Sequence, residues 1–372
     1  MPTQSEPITL AIGGLTHETW DAWSIESDLL TPADGFELEL FTKGTVQLPR
    51  VLAEGAPCSL SLGSDRVLTG QIDEFEHDIS RQGIAIRING RDSAAPLVDC
   101  SAPFVSMREA SLAEIIDQVI KPLGFSKVEI RAATAKTRRR IQIEPGQSAW
   151  EALLQVAVAN GLWPWIEPDG RLIIGGPDYT TDPVSKLVLR EDGQGNNVES
   201  LSVRRSIAGR YSQITVLGQH GQYTGGGVTG GQSHLRSVVQ DVALVQRGIF
   251  RPKVVIDSSS ENQDMATTRA RKLLADSRLE GFEIRAVVEG HRAGSGQVWT
   301  PGQRVMVYSE PHQLDGTYFL MSRTLRTSRS EGAITELSLR EDKMWVLDAN
   351  PLKKRRGKVD QDAAFIKQIK IL

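Results

Sequence analysis

The stretch GRDSAAPLVDCSAP, Gly90 to Pro103, sits where the chain changes its period. Before it the apolar residues alternate with polar ones, and after it they recur every three or four positions. It also holds Cys100, one of only two cysteines, with Asp92 and Asp99 beside it. Three readings compete: a thiol site, a metal site, or a junction between structural modules. The flanking sequence decides among them.

Upstream, Phe36-Glu37-Leu38-Glu39-Leu40 and Ile84-Ala85-Ile86-Arg87-Ile88 place their apolar side chains on one face of an extended chain. Half-buried antiparallel strands require that alternation. TPADG, LGSD and SRQG supply turns between such runs, and several short strands so close together predict a sandwich or a small barrel over residues 1–98.

Downstream, Ser111 with Glu114 reads as a capping box, and Leu112, Ile115, Ile116, Val119 and Ile120 follow at helical spacing until Pro122 and Gly124. Ser148 with Glu151 repeats the signal ahead of Trp150, Leu153, Leu154, Ala157 and Val158, with Asn160-Gly161 as a left-handed stop. LWPWIEPDGRLIIGG then reads as a hairpin turning on Pro-Asp-Gly. Residues 99–185 are expected to be an α+β domain.

From Lys186 strands return in LVLRED, ESLSVRRS and SQITVLGQ. YTGGGVTGGQS, residues 223–233, is the most glycine-dense segment, and DVALVQRGIF after it is strand-like. A helix follows from Ser260 and Gln263, with Ala266, Ala270, Leu273 and Leu274 on one face. FEIRAVVEG, RVMVYSE, GTYFLMSR and AITELSLRE are strands again. The expected organisation is a second β body from 186–222 and 295–347, a helix-bearing α+β insertion at 223–294, and a basic tail at 348–372. Residues 353–372 carry seven Lys/Arg against two Asp. The fold class is therefore α+β and mainly β: two antiparallel β bodies plus two helix-containing α+β units.

Chemistry finds little foothold. The six histidines, His17, His77, His220, His234, His291 and His312, are scattered, and no H-x-x-x-H occurs. A cysteine nucleophile needs a base nearby, and no spacing brings one to Cys100. The acids of GSDRVLTGQIDEFEHD straddle an alternating strand, so they do not share one face. Gly225 to Gly231 lacks the Gly-Lys-Ser/Thr and the following helix of a phosphate-binding loop. Arg138-Arg139-Arg140 and Lys353 to Arg356 are not interleaved with stacking aromatics, and the net charge of −3 gives no global attraction to nucleic acid. No catalytic, cofactor-binding or metal residue is assigned. The N-terminus lacks a secretory pattern and no window is apolar enough to span a bilayer, so the expectation is a cytoplasmic start without stable membrane insertion. That leaves the junction, with Cys100 filling a small buried gap and Asp92 and Asp99 bonding local backbone.

Several phrases, in order, resemble the baseplate hub proteins of contractile phage tails, the Mu-like hubs in particular. They are GRDSAAPLVDCSAP, IEPGQSAWEALLQVAVANGLWPWIEPDGRLIIGGP, ESLSVRRSIAGRYSQITVLGQ, FRPKVVID, the helix pattern at Arg269 to Arg278, and VEGHRAGSGQVWTPGQRVMV. The resemblance covers about residues 5–345. The sequence departs from the family at Lys272-Leu273-Leu274 and at Gly290-His291, and an R-type pyocin or a prophage tail would carry the same phrases.

The resemblance implies two small antiparallel β-barrel domains in each chain, at 1–98 and at 186–222 with 295–347, and a homotrimer whose paired barrels form a pseudo-six-fold ring. One side would meet the hexameric tail tube and other baseplate proteins, and the other a trimeric central spike protein. DNA would pass only in transit, and the protein would reside in the virion baseplate after assembly in the host cytoplasm. The hub would be no enzyme. The alternatives are a tail-associated peptidoglycan hydrolase and a receptor- or glycan-binding β protein.

Overall fold

A computed structural model describes residues 6–44, 48–102, 112–131, 146–159, 162–218, 235–257 and 263–344, with the backbone of 369–371. In chain order the elements are β1 (Ile8–Ile12), β2 (Leu15–His17), β3 (Ala22–Asp28), β4 (Gly35–Thr42), β5 (Pro57–Leu62), β6 (Asp65–Ser80), β7 (Gly83–Asp92) and α1 (Ala95–Asp99). Then come α2 (Leu112–Ile115), which runs on as a π turn (Ile116–Ile120) and a 3-10 turn (Lys121–Leu123), β8 (Val128–Ile130), α3 (Ala149–Ala159), β9 (Trp163–Ile166) and β10 (Leu172–Gly175). The rest are β11 (Ser185–Leu189), β12 (Ser200–Arg205), β13 (Gln213–Gly218), β14 (Leu235–Asp241), α4 (Val242–Gln246), β15 (Pro252–Asp257), α5 (Gln263–Glu280), β16 (Phe282–Glu289), β17 (Arg304–Ser309), β18 (Leu314–Ser328), β19 (Gly332–Glu341) and β20 (Ile369–Ile371).

The chain divides into two compact units, Met1–Ser202 with Ile284–Leu339, and Val203–Glu283 with Arg340–Leu372. In the first, alternation does what the sequence predicts: Phe36 and Leu38 turn inward from β4, and Ile86 and Ile88 from β7, and all four are buried, as are Ile25 and Ile72. Fully burying each such side chain is worth about 1.5–3 kcal/mol.

The expected separate barrels are not what the strands form. One thirteen-stranded sheet runs through both β regions, and the described residues close no barrel. The reason is the length of β18. Its first half pairs with β17, and its second half pairs antiparallel with β3, from Ser322↔Asp28 to Ser328↔Ala22. Arg292 ties the same regions together by donating to Glu6, to Asp65 at 2.7 Å and to the Leu62 carbonyl.

The helical part of this unit has its own core of Leu97, Leu112, Ile115, Val119, Ile120, Trp150, Leu153, Val156, Leu172 and Ile174. The Ser148 capping box forms: Ser148 N donates to Glu151 Oε2 at 3.0 Å and Glu151 N to Ser148 Oγ at 3.1 Å. Ser111 and Asn160-Gly161 lie outside the described residues. The helix after Ser111 is less regular than its spacing predicts, turning into a π turn before Gly124 ends it at φ 94°. Pro122 brings no N–H to the helical ladder, and the widened turn keeps Ile115, Ile116, Val119 and Ile120 all in the core. The β9–β10 hairpin turns at Pro168-Asp169-Gly170 as expected, and β8 adds to β10 in parallel.

In the second unit the strand order is β15-β13-β14-β20. α5 covers one face through Ala266, Ala270 and Leu274 on Ile214, Val216 and Val239. The strand-like reading of DVALVQRGIF is overturned. Asp241 Oδ1 accepts from Ala243 N at 3.1 Å and starts α4, because an N-capping carboxylate satisfies a donor that an apolar pattern does not reveal. Ser260 lies outside the described residues.

Candidate functional site

The Gly90 to Cys100 stretch occupies the end of β7 and all of α1. Its glycine is required by packing: a Cβ on Gly90 would stand 2.2 Å from the Gln71 carbonyl oxygen and 2.4 Å from the Phe36 ring. Arg91 donates from Nη1 and Nη2 to both oxygens of Asp99, at 3.0 and 2.6 Å, and from Nε to Asp73. This fork-to-carboxylate geometry holds the Arg91 pKa above its ordinary value and the Asp99 pKa below. It also clamps the last strand of the β region to the first turn of the helical one.

Asp92 points the other way and is buried. Its Oδ1 accepts from Ala94 N at 2.7 Å, and its own N–H donates to the Asp34 carbonyl at 2.8 Å. Burial, and then the neighbouring Asp34 charge, push the Asp92 carboxyl upward, while burial also raises Asp34 against the pull of Arg323. Arg323 is only 3% exposed, and its Nε and Nη1 have no hydrogen-bond partner among the described residues. Burial lowers its pKa to about 10, with Asp34 opposing.

These groups line a recess of about 160 Å³ together with Trp150, Trp165 and Thr300. Around it Trp163 Nε1 donates to the Leu29 carbonyl at 2.6 Å, and Thr69 Oγ1 to the Pro168 carbonyl at 2.7 Å. The arrangement is a polar joint holding sheet and helical module together. It offers no nucleophile with a base.

The junction reading of GRDSAAPLVDCSAP therefore stands, with two details changed. Cys100 is exposed, whereas Cys58 is the buried thiol, its pKa pushed up to about 12 by burial. α1 ends at Cys100 in extended backbone, so the residue leaves the core. Asp92 bonds local backbone as predicted, but Asp99 serves Arg91 instead.

The acids Glu74, Glu76 and Asp78 share one face of β6, while Asp73 is set apart by a bulge. Among the described residues no group of three His, Cys, Asp or Glu could hold a metal ion. Ser309 Oγ lies 2.8 Å from His312 Nδ1, and among the described residues no carboxylate bonds the imidazole to orient it. Arg138 to Arg140, Gly225 to Gly231 and Lys353 to Arg356 lie outside the described residues. Sequence reasoning missed Arg323, although FLMSRTL carries the signal: it takes an inward position between Met321 and Leu325 in a strand of period two.

Comparison with known proteins gives a consistent picture. Four family models match in succession. They are the Mu phage baseplate assembly protein GpP-like N-terminal domain at 7–92, the second domain of baseplate hub protein gp44-like at 94–176, the third domain of tail protein NMB1110-like at 210–274, and a tail protein C-terminal domain at 276–344. The chain is 24% identical to the baseplate hub protein gp44 of Escherichia phage Mu, over 97% of this chain and 94% of that one. The tail protein from Neisseria meningitidis MC58 is 33% identical with a TM-score of 0.79, covering 93% of this chain and 99% of that one. The 43 kDa tail protein of prophage MuSo2 from Shewanella oneidensis is 26% identical with a TM-score of 0.77, covering 91% and 99%.

Proposed function

The chain belongs to the gp44-like baseplate hub family of phage tail proteins and is a structural hub of a tail baseplate, and from that premise we propose that it adapts a hexameric tail tube to a trimeric membrane-piercing spike. The observation that carries the reading is likeness over nearly the whole chain, with four tail-protein domains in order from residue 7 to 344.

In this reading three copies close a ring in a contractile tail. The two β regions of each copy supply its pseudo-six-fold side, each taking a barrel-like place in the ring. Their fusion through β3 and β18 supports the role, because a sheet continuous across both regions resists bending where tube and spike load it. The function is interface geometry, so the hub needs no catalytic residue, cofactor or metal. DNA crosses the ring only in transit, through a polar lumen. The protein is assembled in the host cytoplasm, inserts into no membrane, and ends in the virion baseplate; no helix among the described residues is long and apolar enough to span one.

The test is genetic complementation of a tail-producing host. Without this chain, electron microscopy should show no complete tails, and the wild-type chain supplied in trans should restore them. Complete, contractile particles made without it would overturn the reading.

A further inference from the structure

Two surfaces, one on each unit, carry opposite charge. On the first unit the outer face of β3, β4, β7 and β6 is acidic. Adjacent rows across it read Ser24, Glu37, Asn89, Glu74, then Ala22, Glu39, Arg87, Glu76, then Phe41, Ala85, Asp78. Glu26 lies beside them on β3. Arg87 is the cation within these rows, held by Glu39 at 3.2 Å and Glu76 at 3.0 Å. The arginines next to them, Arg91 in the Glu26 row and Arg326 opposite Ser24 on β18, are likewise held by carboxylates, of Asp73 and Asp99 and of Glu336. Phe41, 46% exposed, adds an apolar spot at one end.

On the second unit β15 is an edge strand, paired only with β13 among the described residues. Val254 and Ile256 are 62% and 73% exposed and lie on the face opposite α5, since Val255 packs into the α5 core. Phe250 beside them is 78% exposed. Arg247, Arg251 and Lys253 are exposed in the same segment, Lys253 on the Val255 side of the strand with its Nζ 4.5 Å from the centre of the Tyr211 ring, and no carboxylate occurs between Asp241 and Asp257. A bare, apolar edge strand is a template for association unless something covers it.

We propose that these two surfaces bind each other between copies, the basic, apolar β15 edge of one chain covering the acidic sheet face of the next. Charge chooses the partner. Acidic face against acidic face and basic edge against basic edge both repel, so like surfaces do not pair and the contact is head-to-tail. A head-to-tail contact propagates, and it closes into a ring when its rotation allows. Phe250, Val254 and Ile256 form the desolvated centre, and the carboxylates and cations its rim. This inference rests on the ring reading above and names the surfaces that make the ring.

Two full-length variants test it by light scattering, with circular dichroism confirming that each is folded. One carries Glu37→Lys, Glu74→Lys and Asp78→Lys, and the other Phe250→Ser, Val254→Thr and Ile256→Thr. All six positions are exposed. Each variant alone should be monomeric at a concentration where the wild type is trimeric. Mixed equally, they should give a mass near twice 40.8 kDa, because each pair keeps one intact contact and cannot propagate. Folded variants that keep the wild-type mass, or a mixture that stays monomeric, would overturn the pairing while leaving the trimer intact. A monomeric wild type would instead remove the ring reading, and this inference with it.

Discussion

His291 is 5% exposed and sits against the Trp23 ring at 4.8 Å. Its protonation is fixed by its neighbours. Thr335 Oγ1 spends its proton on the Gly290 carbonyl at 2.7 Å, so it accepts from His291 Nδ1 at 3.2 Å, and Nε2 then accepts from Thr327 Oγ1 at 3.0 Å. Burial, reinforced by the Arg323 charge, lowers the imidazole pKa to about 4. A histidine depressed in the folded state contributes stability that is full above its unfolded pKa near 6.5 and is lost as pH falls towards 4. The available loss is about 3 kcal/mol at roughly 1.4 kcal/mol per pH unit. Urea unfolding of the wild type should therefore weaken between pH 6.5 and 4, and His291→Gln should flatten that dependence. An unchanged pH slope in the variant would contradict it. Neither His291 nor Arg323 declared itself by a motif. His291 lies in a bend after β16, and its burial depends on long-range pairing that local spacing does not encode, whereas Arg323 shows only as an inward position in a strand of period two.

At the scale of elements, legibility followed how local the cause was. The Ser148 box is a four-residue device and formed as read, so Ser148→Ala should cost about 1 kcal/mol in chemical denaturation and Ser148→Asp much less. Equal losses for both would show that the hydroxyl is not capping. The Pro-Asp-Gly hairpin and the Ala266, Ala270, Leu274 stripe of α5 were legible for the same reason. α4 was not, because one carboxylate at Asp241 outweighed an apolar pattern that suits a strand equally well. Nor was the π turn at Ile116–Ile120, where Pro122 and the core act together.

At the scale of the molecule, the alternation in residues 8–92 and 186–345 identified strands and their inward faces but not their partners. Strand pairing is set by register and length, and the fifteen residues of β18 serve β17 and β3 in turn, which no periodicity shows. The Gly90 to Cys100 junction was legible because the period changes across it, and its role as a joint follows from Arg91 and Asp92 facing opposite sides. The proposed ring requires the chain to assemble with itself. The most direct measurement is the solution mass of the full chain by light scattering. The account predicts a value near three times 40.8 kDa, and a mass of 40.8 kDa held at micromolar concentration would contradict it.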